Sequence, residues 1–295
     1  MSGRFGLLAV FCGLGVYVPT SIAQPVTASP RWQAVFPALA GGQVHDSKAV
    51  RVSAESTLVV VVVGDSDPMS LKLQMGARSI PCKVIGHDPV SRLGFVSVGG
   101  NELPKMAPWI EDAGANSRSL LQSMEPGGPS KCWTTGWVKQ VGGKILPFAL
   151  LRVNFSGKVP SPGTPLVDAI GRVVGIVFQK SGEPNIGYAI PAEAVRRVQQ
   201  DICKSGHLTR GWLGLSLSAA SPIPEICRVL PNSPAAAAGI KANDRLLSVD
   251  TRQVADYGDA ANAFFYLIPG KPVLVKVLRD TEQLEFTLTP ELPRG

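Results

Sequence analysis

Hydrolysis through a side-chain nucleophile needs a hydroxyl or thiolate, an imidazole to take its proton and a carboxylate to orient that imidazole. The sequence is short of imidazoles: it contains three histidines, His45, His87 and His207. None lies between residues 46 and 86. His87 adjoins Asp88, but neighbours on a strand point to opposite faces, so the two do not make a dyad by themselves. His45 falls in a polar, loop-like stretch. Ser156, Ser161 and Thr164 are the hydroxyls in and beside the segment Pro160-Ser161-Pro162-Gly163-Thr164-Pro165. Its prolines carry no backbone N–H. Asp88 and Asp168 read as turn residues. The spacings of Cys82, Cys132, Cys203 and Cys227 match no zinc pattern, so no metal and no cofactor are expected. In an oxidising compartment those four cysteines allow three disulfide pairings, and buried thiols are an equal reading.

The elements that would hold such residues are mostly strands. Thr57 to Val63 is a continuous β-branched run ended by Gly64-Asp65, as expected of a strand buried on both faces. Leu71–Met75, Cys82–Gly86, Leu93–Val98, Cys132–Val138, Ile145–Val153 and Arg172–Phe178 continue the series, with residues 101–129 expected as loop. Residues 24 to about 48 read as a linker with a poorly formed strand around Ala34–Phe36. Pro191 opens a helix whose Val195, Val198 and Ile202 share one face and which Gly206 ends. Beyond it a second, α+β unit is expected. It has strands at Gly211–Leu217, Ile226–Leu230, Arg245–Val249, Val273–Leu278 and Leu284–Leu288. A short helix at Ser233–Gly239 has serine as N-cap and proline at its first position, and another helix lies near Asp259–Leu267.

Before these elements, Arg4 and the uncharged apolar stretch Phe5–Val18 lead to small residues ending at Ala23, the pattern of a cleaved export signal. About 14 apolar residues are too few to span a ~30 Å hydrocarbon core comfortably. Bulky Phe11 before Cys12 argues against a lipoprotein signal. A formal net charge of +7 is spread along the chain without a basic cluster, which argues against nucleic-acid binding.

Three segments resemble the HtrA/Deg family of trypsin-like proteases: Gly86-His87-Asp88-Pro89-Val90-Ser91-Arg92, Pro165-Leu166-Val167-Asp168 with Gly171 to Ile176, and Ile186 to Pro191. The C-terminal part resembles the family's PDZ domain through Arg210-Gly211-Trp212-Leu213-Gly214-Leu215, Ser233-Pro234-Ala235, Ala238-Gly239-Ile240 and Leu278-Arg279-Asp280. The resemblance implies a mainly β protein, a trypsin-like double β-barrel followed by a small α+β PDZ domain. The expected boundaries are 1–23 for the signal, 24–49 for an N-terminal segment, 50–204 for the protease-like domain and 208–293 for the PDZ domain. It places the family's nucleophile at Pro162, its carboxylate at Arg92 and its histidine at or beside Val62. The two oxyanion donors would be the absent N–H groups of Pro160 and Pro162. All of these positions depart from the chemistry the family uses.

For the PDZ domain the resemblance implies capture of an extended chain end beside Leu215-Ser216-Leu217. The residues expected to contact the peptide are Leu213, Gly214, Leu215, Leu217, Ala263 and Phe264, with Gly214 letting the backbone approach the terminal carboxylate. The expected function is thus an exported, periplasmic pseudo-protease that binds C-terminal or extended segments of unfolded or envelope proteins. A homo-oligomer or docking to an active homologue is compatible with this. The competing reading is a divergent but active serine endopeptidase.

Overall fold

The computed structural model describes residues 32–37, 45–52, 56–99, 119–141, 143–218 and 223–293. The segment expected to be an export signal, residues 1–23, lies outside them. The first unit runs β1 (Trp32–Phe36), β2 (His45–Lys48), β3 (Val50–Arg51), β4 (Thr57–Val61), β5 (Lys72–Met75), β6 (Arg78–Ile80), β7 (Cys82–Asp88) and β8 (Leu93–Val98). Its two sheets have the orders β2-β1-β5-β6 and β3-β4-β8-β7. β2 continues into β3 across Ala49 alone, and β6 into β7 across Pro81 alone, so two bent strands join the sheets into a barrel.

β4 shows why the valine run is continuous. Leu58 and Val60 fill the interior of the first barrel with Phe36 and Leu73. Val59 and Val61 face the other way, into a core shared with Phe148, Leu150, Ile176 and Val198. A strand buried on both sides has no polar face to alternate with.

The second barrel contains β9 (Leu120–Glu125), β10 (Gly128–Val141), β11 (Lys144–Phe155), β12 (Pro165–Val167), β13 (Val173–Lys180) and β14 (Ile186–Pro191). It closes in the order β10-β11-β14-β13-β12-β9. Helix α1 (Ala192–Ser205) follows, with Val195, Val198 and Ile202 buried against both barrels and Gly206 as a left-handed C-cap at φ 77°. Pro191 stands one place earlier than expected, as the N-cap.

The C-terminal domain comprises β15 (Leu215–Leu217), β16 (Ile226–Val229), α2 (Pro234–Ala238), β17 (Arg245–Val249), β18 (Arg252–Gln253), α3 (Tyr257–Phe265), β19 (Val273–Arg279) and β20 (Glu282–Leu288). β15 pairs with β16, and the other four strands form a sheet in the order β18-β17-β19-β20. Ser233 caps α2 as expected, its hydroxyl accepting from the Ala236 N–H at 3.2 Å.

Four expectations need correction. The segment 24–49 is more than a linker, because β1 and β2 within it are barrel strands and Trp32, Ala34 and Phe36 are buried. His45 sits on β2 rather than in a loop. The stretch expected as loop up to Pro129 contains β9 and the start of β10; β9 turns the polar Ser123 into the interior, which blurs its apolar alternation. The strand expected at Gly211–Leu217 is regular only from Leu215, since Gly211 and Trp212 bond instead to Leu267 and Glu291.

The C-terminal domain rests on the second barrel through α3. The Phe148 and Phe265 rings lie 4.7 Å apart, and Asn262 Oδ1 accepts from the Ala149 N–H at 2.8 Å. Lys139 pairs with Asp256 at 2.6 Å and Asp259 at 3.0 Å, and Arg252 pairs with Glu193. A cleft of about 540 Å³ lies at this junction, lined among others by Trp137, Lys139, Glu193, Arg252 and Asn262. Its lysine, arginine and carboxylates already satisfy one another.

Candidate functional site

Strand β2 gathers the positions that the resemblance marks out. Ser47, fully buried, accepts from the Val61 N–H at 3.0 Å, and its hydroxyl lies 3.2 Å from the Pro162 carbonyl. The Lys48 N–H donates to that same carbonyl at 2.7 Å. One residue after Val61, the Val62 N–H donates to the Arg92 carbonyl at 2.8 Å. Val62, Arg92 and Pro162, distant in sequence, therefore meet at one patch between the barrels. The Val62 side chain is buried in the first barrel's core. Arg92 adopts a left-handed φ of 59° and donates through its guanidinium to the Gly64 carbonyl. The His45 ring lies over Gly64, where an added Cβ would come 2.9 Å from its Nε2.

The loop holding Pro160 and Pro162 is pressed against β2. Gly163 has φ +80°, and a Cβ there would lie 2.1 Å from the Lys48 carbonyl oxygen. Only glycine meets both conditions. Its N–H donates to the Val177 carbonyl at 2.7 Å, while the Thr164 N–H and hydroxyl both donate to the Ser161 carbonyl, at 3.2 and 2.7 Å. The Gly163 and Thr164 amides are thus already occupied, one by β13 and one within the loop. No hydroxyl among the described residues hydrogen-bonds to an imidazole; the His207 ring bonds instead to the Ser205 carbonyl, at 2.9 Å. Asp88 accepts from the Ser91 N–H at 2.7 Å, and Asp168 from the N–H groups of Ile170 and Arg172, at 3.1 and 2.8 Å. Both carboxylates hold turns.

None of the four described cysteines forms a disulfide. Burial pushes the Cys132 thiol up to about 12, against a smaller opposing hydrogen bond at Ser123, so it stays protonated. Burial also raises Cys82. Among the described residues no three His, Cys, Asp or Glu side chains cluster as a metal site.

A second site is open. Among the described residues β15 pairs with β16 alone, on one side. The Gly214 carbonyl accepts from the Leu230 N–H at 2.8 Å and the Ser218 N–H donates to the Glu225 carbonyl at 2.9 Å, so even-numbered residues turn their amides toward β16. Alternation then aims the N–H and C=O of Leu215 and Leu217 at the vacant edge. Their side chains are half-buried on the domain's core, and Ser216 faces solvent. In the preceding loop the carbonyls of Leu213 and Gly214 are occupied by Ala235 and Leu230, yet neither N–H has a partner among the described residues.

The structure adjusts three expected contacts here. Leu213 and Ala263 are 4% and 2% exposed and belong to the domain's core, leaving Leu215, Leu217 and Phe264 as the partly accessible apolar groups. Gly214 is required by its neighbour rather than by a ligand: at φ +77°, a Cβ would lie 2.1 Å from the Ser233 Cβ. Sequence reasoning did not single out Ser47, whose polar strand gave no sign of a buried hydroxyl.

Residues 211–289 match the PDZ domain family model. Over 258 residues the chain is 26% identical to "Serine endoprotease DegS" of Salmonella typhimurium, covering 77% of this chain and 71% of the relative. It is 24% identical over 248 residues to "Probable periplasmic serine endoprotease DegP-like" of Chlamydia trachomatis, covering 77% of this chain and 50% of the relative. The chain spans about half the length of the first curated relatives it matches. Among solved structures, "HtrA-type protease AlgW with tripeptide" superposes with a TM-score of 0.63 at 21% identity, covering 91% of this chain and 95% of that one. The chain is thus similar to HtrA-type serine endoproteases over most of its length, and residues 211–289 form a PDZ domain.

Its fold is the trypsin-like barrel pair followed by a PDZ domain that the HtrA resemblance implied. None of the described helices is long and apolar enough to cross a membrane.

Proposed function

We propose that this HtrA-like chain is an exported pseudo-protease whose barrels serve as scaffold and whose PDZ domain captures C-terminal or extended segments of envelope proteins. Pro162 carries the reading. Taken as the nucleophile position, it has neither a hydroxyl to attack with nor an N–H to hold an oxyanion, and its carbonyl is occupied by Lys48 and Ser47. Arg92 at the carboxylate position would repel an imidazolium, and Val62 at the histidine position cannot take a proton.

Capture rests on independent groups. A chain end added beside β15 would pair with Leu215 and Leu217, and its carboxylate would meet the unpartnered N–H groups of Leu213 and Gly214. Phe264 on α3 supplies an opposing apolar wall. The signal-like N-terminus and relatives named as periplasmic support a place in the periplasm.

The test combines casein turnover, labelling with a fluorophosphonate and a fluorescence titration with peptides ending in a free apolar residue. Peptide-dependent quenching of tryptophan fluorescence without turnover or labelling supports the proposal. Turnover that one Ser or Thr substitution abolishes overturns it in favour of an active endopeptidase.

A further inference from the structure

We infer that Arg228 selects captured chain ends carrying a carboxylate on the next-to-last residue. The inference rests on the peptide-capture reading of β15 and adds to it a choice of ligand.

The register decides which residue of a captured chain is read. With its carboxylate at the Leu213 and Gly214 amides, an antiparallel chain end sets its last residue opposite Leu215, the next-to-last opposite Ser216 and the third-last opposite Leu217. Residues opposite one another on paired strands share a face. The last and third-last side chains therefore turn toward the apolar side, where Leu215 and Leu217 pack on the core. The next-to-last turns outward with Ser216, which is exposed.

Ser216 is in register with Arg228 on β16, placing the three residues in one row across three strands. Strand spacing puts the Arg228 Cα roughly 10 Å from that of the captured residue. An extended arginine and a glutamate together span this gap, and serine between them is small enough to be crossed. Arg228 is exposed and makes no ion pair among the described residues. On its far side β16 is held at residues before Arg228, by the Ile226 N–H donating to the Asp244 carbonyl, the Asn243 N–H donating to the Ile226 carbonyl and the bridge from Glu225 to Arg245. A carboxylate arriving over Ser216 thus meets a guanidinium that has no ion-pair partner among the described residues.

The experiment uses the whole chain and three fluorescein-labelled decapeptides that end in valine and carry glutamate, alanine or lysine next to last. Glutamate should bind about 2- to 5-fold tighter than alanine and lysine weaker by a similar factor, the range expected of an exposed ion pair. Arg228→Glu should reverse the order, Arg228→Ala should erase it, and high salt should flatten it in the unmutated chain. Equal affinities for the three peptides, or an order that survives Arg228→Glu, overturn the inference and leave peptide capture standing. Failure of all three peptides to bind overturns the capture reading and this inference together. Far-ultraviolet circular dichroism of each variant checks that loss of preference is not loss of fold.

Discussion

The Pro160–Pro165 loop and the Trp212–Leu215 loop are built on the same device and left in opposite states. Each turns on a glycine in the left-handed region, Gly163 at φ +80° and Gly214 at φ +77°, and in each an added Cβ would come 2.1 Å from its neighbour. The difference lies in the amides. In the first loop two positions are proline, and Gly163 and Thr164 donate inward. In the second, the N–H groups of Leu213 and Gly214 have no partner among the described residues, beside a strand with a vacant edge. Tight backbone geometry alone does not make an anion site; what matters is whether the donors are already satisfied.

The widest gap between the loops should appear in chemistry. Installing Pro160→Asn with Pro162→Ser restores the missing N–H groups and a hydroxyl but no imidazole. Turnover should therefore stay at background, at least about 10⁴-fold below an enzyme with an intact triad. Covalent labelling of the double variant by a fluorophosphonate would break the comparison, because it would require a proton acceptor that the geometry does not offer.

Next in size are the two glycines. Gly163→Ala and Gly214→Ala should each destabilise their own domain by about 2–4 kcal/mol, through left-handed strain and overlap combined. Thermal unfolding should register both losses. Peptide affinity should fall strongly for Gly214→Ala and be nearly unchanged for Gly163→Ala; equal losses would show that the two loops are not independent.

Asp244 tests the frame behind the open edge. Its backbone carbonyl accepts from the Ile226 N–H at 2.8 Å, anchoring β16, while its carboxylate takes two bonds from Arg279, at 2.7 and 2.8 Å. Burial raises this carboxyl, but the Arg279 hydrogen bonds, the Lys241 N–H and the nearby positive charges outweigh it, leaving the acid stronger than usual. A depressed folded-state value adds stability that is present above the unfolded value near 3.9 and is lost as pH falls through the lower, folded one. Acid titration of PDZ unfolding should show that loss below about pH 4. Asp244→Asn should cost about 2 kcal/mol at neutral pH and remove most of this acid dependence.

The smallest effect belongs to the seat of α3 on the barrel. Burial lowers the basicity of Lys139, yet hydrogen bonds to Asp256 and Asp259 more than restore it. Lys139→Ala should cost under about 1 kcal/mol, since the pair is partly solvated. A larger change in peptide affinity than in stability, measured by titration, would indicate that the groove wall depends on its contact with the barrel.

How far the sequence could be followed depended on where each element's side chains go. Val59 to Val62 announced a strand because both of its faces are apolar environments. Helix α1 was legible from the spacing of Val195, Val198 and Ile202, and α2 from Ser233, Pro234 and Gly239. β2 was not, because His45-Asp46-Ser47-Lys48 is polar and its one fully buried side chain, Ser47, is there to satisfy backbone groups. β9 was hidden in the same way by Ser123. The docking of α3 was hidden too: Ala260 and Ala263 face its own domain, while Phe265 and Asn262 face the barrel, and one hydrophobic period cannot encode two partners.

Residue identity alone determined that positions 160 and 162 carry no N–H, that position 62 cannot accept a proton and that position 92 bears a positive charge, because these are covalent properties that no packing alters. Only the tertiary structure decided that these positions meet around Ser47, that the Gly163 and Thr164 amides are consumed, and that the Leu215 edge has no strand partner among the described residues. Hydrogen-bond satisfaction depends on which distant groups fold into reach, and nothing in the local sequence fixes that.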